Sequence, residues 1–185
     1  MASYAIHNIK ISFKVNQFPL NRVKERIETL NQVDKEKIQL IQYPNFVVVK
    51  GQYVYTIFRA GKEKRNHVNA TKIRSDDQVH ACVQYLENLL QLQACQLRID
   101  NYIGGTDMRM HLRFEEILPI LQEKRVVYSY NLEKFPALYV YKMGITSVLF
   151  PSGKVQLLGS RTEEGICRMV SYLNDLLLSV SYDRK

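Results

Sequence analysis

No stretch of this 185-residue sequence is apolar for long enough to cross a membrane as a helix. The opening residues, MASYAIHNIK, lack the ordered basic, apolar and small-residue regions of a secretory signal. Cysteine is sparse and odd in number. Cys82, Cys95 and Cys167 are scattered, and two of the three fall on expected helices among apolar neighbours. That pattern argues against a disulfide framework and for a reduced, intracellular protein. Residues that carry chemistry are dispersed as well. His7, His67, His80 and His111 stand apart, no Cys/His metal spacing occurs, and no glycine-rich loop could cradle a phosphate. Catalysis, a metal and a cofactor are therefore not expected. Acidic residues are outnumbered, 18 against 26 Lys and Arg, and the net charge of +8 favours a polyanionic partner.

What is present, 46% hydrophobic and 24% charged residues, suffices for a globular core. It is also arranged twice. Residues 43–62, YPNFVVVKGQYVYTIFRAGK, overlay residues 135–154, FPALYVYKMGITSVLFPSGK, without a gap. Upstream, IHNIKISFKV from Ile6 matches IDNYIGGTDM from Ile99, pairing Asn8 with Asn101. Downstream, VNATKIRSDDQ from Val68 matches VQLLGSRTEEG from Val155, pairing Arg74 with Arg161. Blocks kept in one order indicate a duplicated unit.

Each copy opens with a strand, near residues 6–15 and 98–108. A helix follows, with Leu20, Val23, Ile27 and Leu30 on one face in the first copy. Its counterpart directs Ile117, Ile120 and Leu121 inward, with Pro119 tolerable only near the first turn or at a kink. About four strands rich in Val, Ile, Tyr and Phe come next. A longer helix closes each copy. Ser75 and Gln78 read as a capping box before Val79, Val83, Leu86, Leu89 and Leu90. The second long helix starts at Thr162 and buries Ile166, Met169, Val170, Leu173, Leu176 and Leu177. The economical packing is α+β, one antiparallel sheet with helices on a single face.

Residues two apart on a strand share a face. Asn8 with Lys10, Asn69 with Thr71, Asn101 with Ile103, and Gln156 with Leu158 take equivalent places, and together they suit a surface better than a core. Lys62 and Lys154, like Arg74 and Arg161, are basic at paired positions. Tyr43, Phe58, Phe135 and Phe150 stand at strand ends beside turns. Singly, each feature has an ordinary explanation: a strand Phe is commonly core, a turn Lys is solvated, and an Asn opening a strand bonds local backbone. Recurrence in both copies favours a functional surface.

DNYIGGTDMRMHLRFEEI from Asp100, FPALYVYK from Phe135 and LFPSGKVQLLGSRTEE from Leu149 resemble the second repeat of the TATA-box-binding protein family. The first repeat is a weaker version, and the resemblance covers nearly the whole chain. It implies a saddle, a curved ten-stranded antiparallel sheet of two tandem repeats, 1–95 and 96–185, forming one domain with helices on the convex face. The concave face would bind DNA in the minor groove. By position, Tyr43 with Phe58 and Phe135 with Phe150 would insert between base steps. Asn8 and Asn101 would donate to minor-groove acceptors, with Lys10, Asn69, Thr71, Ile103, Gln156 and Leu158 completing the groove centre. Lys50, Lys62, Arg74, Lys142, Lys154 and Arg161 match phosphate-contacting positions, the register slipping by about a residue at Lys50 and Lys142.

Lys10, Asn69 and Gln156 stand where the family has small aliphatic residues, and Leu158 where it has threonine. An altered or relaxed TATA preference is therefore expected. The family docks its B-type general transcription factor on a segment that here reads NLEKFPA, where Glu133 persists while Asn131 and Lys134 depart from the pattern. The implied function is a transcription-initiation factor that binds and bends double-stranded promoter DNA and nucleates RNA polymerase assembly. The alternative is an interaction module that has lost DNA binding and binds or sequesters transcription factors. The expected site of action is the nucleus, or the cytoplasm for a viral or archaeal protein. An open apolar concavity would also allow self-association.

Overall fold

A computed structural model of the chain describes residues 3–33, 38–62 and 64–182. The first repeat runs β1 (Tyr4–Asn16), α1 (Asn21–Val33), β2 (Gln39–Gln42), β3 (Phe46–Lys50), β4 (Val54–Phe58), β5 (Arg65–Ile73) and α2 (Asp77–Leu90). The second repeats that order with β6 (Ala94–Asp107), α3 (Phe114–Glu123), β7 (Val127–Asn131), β8 (Phe135–Lys142), β9 (Ile145–Leu149), β10 (Lys154–Ser160) and α4 (Glu163–Tyr182). The strands form a ten-stranded sheet in the order β2-β3-β4-β5-β1-β6-β10-β9-β8-β7. The expected α+β class and strand count are those observed. Two compact units divide the chain, one of residues 8–100 and one joining the segment up to His7 to everything from Asn101 onward.

In the unit of residues 8–100, strand parity separates core from surface. Ile9, Ile11, Phe13 and Val15 of β1 are buried, as are Val47, Val49, Tyr55, Ile57, Val68 and Ala70 of β3 to β5. They lie under Val23 and Ile27 of α1 and Val79, Cys82 and Leu86 of α2, all buried. Tyr55 donates its hydroxyl to the Cys82 carbonyl at 2.7 Å, and burial pushes the Cys82 thiol up to about 11. Asn66, only 1% exposed, accepts from the Phe18 N–H at 3.0 Å and donates to the Phe58 carbonyl at 2.9 Å. It ties the end of β4 to the entry of α1.

The other unit buries Leu138, Val140, Leu149, Val155 and Leu157 against α4, whose Ile166, Met169, Val170, Leu173, Leu176 and Leu177 are all buried as their periodicity predicts. A Cβ added at Gly104 would meet the Ile166 side chain at 3.0 Å and the Ala5 carbonyl at 3.2 Å, so α4 crosses β6 where a side chain would not fit.

Pro119 lies in the second turn of α3, close to its start, and is exposed. Two local expectations are corrected. Gln78 Oε1 accepts from the Arg74 N–H at 2.9 Å and the Gln78 N–H donates to the Ser75 carbonyl at 3.1 Å, so α2 begins at Asp77 without the expected capping box. Cys167 is exposed on α4. The gapless overlay also slips by one residue inside β3 and β8. Val47 and Val49 take the buried places held by Leu138 and Val140, whereas Ile57 corresponds to Leu149 as expected.

Candidate nucleic-acid interface

The face of each unit turned away from its helices carries most of the residues singled out by sequence. In the unit of residues 8–100, Asn8, Lys10, Asn69 and Thr71 are all partly exposed, Lys10 and Asn69 between buried neighbours. In the other, Asn101, Ile103 and Leu158 are partly exposed and Gln156 is exposed. None of the eight is buried.

Both units contain one further device. The β1–β5 register shifts between Ile9 and Ile11, because β5 carries an extra residue at Lys72, whose φ is 69°. The β10–β6 register shifts between Leu158 and Ser160 around Gly159, whose φ is 97°. These are β-bulges, each with a residue in the left-handed region. Each bulge N–H is captured by the asparagine of its own unit: Lys72 N–H by Asn8 Oδ1 at 2.7 Å, and Gly159 N–H by Asn101 Oδ1 at 2.8 Å. An amide that accepts through its oxygen leaves its NH2 to donate elsewhere.

The aromatic residues group differently in the two units. Phe135 is 44% exposed and meets Phe150 edge-on at 6.1 Å between ring centroids. Tyr43, also 44% exposed, stacks at 4.4 Å on Phe46, which in turn lies 5.6 Å from Phe58. The expected Tyr43–Phe58 pair is thus bridged by Phe46. His67 extends the row 6.0 Å beyond Phe58. Sequence comparison hides Phe46 because Leu138 or Ala137 stands opposite it in the second copy, depending on the register.

Among the basic residues, Lys50, Lys62, Arg74, Lys154 and Arg161 are exposed at strand ends and turns. Lys142 is exposed too, but it shares parity with buried Val140 and its Nζ lies 5.7 Å over the Tyr172 ring of α4. It belongs to the helix side, and by the register slip Tyr141 takes the place of Lys50. Asn131, Glu133 and Lys134 occupy the exposed β7–β8 hairpin tip, where the Lys134 N–H is accepted by the Asn131 carbonyl and side-chain oxygens at 3.2 Å each. Sequence reading passed over Asp100. Its Oδ1 accepts from Ser12 Oγ at 3.0 Å and Arg98 Nε at 2.8 Å, while Lys10 Nζ lies 3.9 Å from its Oδ2. Lys10, expected to face a partner as a free cation, is therefore neighboured by a carboxylate. Among the described residues no group of three or more His, Cys, Asp or Glu is placed to hold a metal.

Two copies of one β-α-β4-α unit, in an antiparallel sheet whose open face displays paired amides and rings, define an internally duplicated α+β protein. The solved structure of Methanococcus jannaschii TBP matches it with a TM-score of 0.72 at 19% identity, over 96% of this chain and 99% of that one. Comparison of the sequence with curated proteins finds no match. Residues 96–180 match the family model described as transcription factor TFIID, or TATA-binding protein. The second repeat thus matches the TATA-binding protein family by sequence, and the chain as a whole shares the fold of the archaeal TBP.

Proposed function

We propose that this protein binds double-stranded promoter DNA through the minor groove, bends it, and supplies a platform on which polymerase assembly begins. The observation that carries the reading is the fixed orientation of Asn8 and Asn101. With both oxygens held by bulge N–H groups, the free NH2 groups suit a floor made of adenine N3 and thymine O2 acceptors. Phe135 and Phe150, and the Tyr43–Phe46–Phe58 row, supply wedges for base steps. Minor-groove wedging is a general mode for which this family is itself a standard illustration. Lys50, Lys62, Arg74, Lys154 and Arg161 would anchor phosphates without reading sequence. The site of action would be the nucleus, or the cytoplasm for a viral or archaeal protein.

Fluorescence titration with A·T-rich duplexes tests the proposal. Binding that weakens steeply with salt is expected. No binding at low salt, or affinity indifferent to salt, would sink it. Replacing Phe135 and Phe150 by Ala should weaken binding by about 1–3 kcal/mol per ring. End-to-end energy transfer across the duplex should then report straight DNA. Bending that survives both replacements would remove the rings from the mechanism.

The Lys10–Asp100 contact and the 66% exposed Leu132 at the β7–β8 tip favour a second reading, a protein-interaction module without DNA binding. Stable capture of a purified B-type factor, by a protein that binds no duplex, would decide for it. Self-association through the open face belongs to either reading, and sedimentation showing only monomer at high concentration would exclude it.

A further inference from the structure

We infer that Asp100 is a specificity-determining residue that admits a G·C pair where the open face meets the minor-groove floor. The inference rests on the proposed DNA binding and refines which duplex is bound. The carboxylate lies on the open face of the unit of residues 8–100, because it bonds Ser12 and neighbours Lys10, which alternate with buried Ile9, Ile11 and Phe13 along β1. Its side chain is 16% exposed, enough to be touched and little enough to be held in place. Oδ1 is occupied by Ser12 and Arg98. Among the described residues, Oδ2 has only the Lys10 ammonium at 3.9 Å, beyond hydrogen-bond reach. An oriented oxygen with acceptor capacity to spare therefore faces outward.

An ionised carboxylate accepts hydrogen bonds and donates none. The minor-groove edge of A·T and T·A pairs offers only acceptors, so Asp100 against such a pair sets acceptor against acceptor. Guanine alone presents a donor there, its N2 amino group. Against guanine the same carboxylate makes a charge-assisted hydrogen bond, the stronger kind. Lys10 cannot reverse this preference, since its ammonium finds an acceptor in every base pair. The open face of this unit would thus read acceptors through Asn8 and one donor through Asp100.

Inosine isolates the point, because it pairs with cytosine like guanine but lacks the N2 amino group. The full chain is titrated against an A·T duplex, against a set in which one G·C pair is walked through it, and against the matching inosine·cytosine set. The expected result is one position where G·C binds at least as tightly as A·T and where inosine weakens binding about tenfold. Asp100→Asn should lose that sensitivity and bind the all-A·T duplex more tightly. A wild-type protein indifferent to inosine at every position overturns the inference while leaving DNA binding intact. No binding to any duplex overturns both. Should Asp100→Asn fail to fold in a thermal melt, the wild-type inosine series still decides.

Discussion

A carboxamide accepts through its oxygen and donates through its nitrogen, and at Asn8 and Asn101 the two ends are given different work. The oxygen holds a strand bulge in shape. That leaves the nitrogen facing away from the sheet backbone. The bulges differ in what they tolerate. Gly159 adopts its φ of 97° at little steric cost, whereas Lys72 holds 69° with a side chain, a conformation that costs about 1–2 kcal/mol outside glycine. Lys72 recovers part of this through the bond from its Nζ to the Gly51 carbonyl at 2.9 Å. The divided roles can be separated by changing one atom. Asn8→Asp and Asn101→Asp each keep an oxygen to accept the bulge N–H and replace the NH2 with a second acceptor. Thermal melts of either variant should stay close to the parent, while affinity for an A·T duplex falls by about 1–3 kcal/mol per site. A melt that collapses would mean that the amide nitrogen serves the fold. Unchanged affinity would mean that it does not face DNA.

Between elements, the links that matter most are polar groups under strand ends. Asn66 lies in a short stretch found only in the first copy, and nothing in the sequence marks it as structural. Yet it satisfies the Phe58 carbonyl and the Phe18 N–H from a buried position. Asn66→Ala would leave both backbone groups unpaired, each at a cost of about 1–3 kcal/mol. Urea unfolding should show a loss of about 2–6 kcal/mol with the slope unchanged, and loss below about 0.5 kcal/mol would show that water replaces the side chain without penalty. Because Asn66 fixes the backbone that carries Phe58, the variant should also weaken ring-dependent bending. This contrast shows what a sequence can carry. Helical stripes such as Ile166, Met169, Val170, Leu173, Leu176 and Leu177 repeat with the helix and are legible. Strand parity is equally legible, hence the correct division around Asn69, Thr71 and Gln156. Single-residue events are not. A one-residue slip in β8 turns Lys142 toward Tyr172, and the similarity of VVVK to YVYK conceals it. Phe46 and Asp100 escaped notice for the related reason that their repeat counterparts, Leu138 or Ala137 and His7, are chemically unlike them.

At the scale of the molecule, the net charge of +8 says little until it is divided by face. Arg98 and Lys10 gather round Asp100, and Lys24, Arg113 and Arg168 pair with Glu28, Glu116 and Glu164 along helices. Their charge is partly answered within the protein. Lys50, Lys62, Arg74, Lys154 and Arg161 are exposed at strand ends and turns. Each phosphate neutralised on duplex DNA releases about 0.9 counterion. Five such contacts would give log affinity a slope of about −4.5 against log salt. Replacing any one of the five by Ala should weaken binding to all duplexes alike and make the slope shallower by about 1. Lys142→Ala removes the same formal charge from the helix side, where Tyr172 lies under it, and should leave the slope unchanged. Net charge acting at a distance would make all six variants equivalent. Contacts made through one face would set Lys142 apart, so the difference between Lys142→Ala and Lys154→Ala measures how far binding depends on placed cations rather than on total charge.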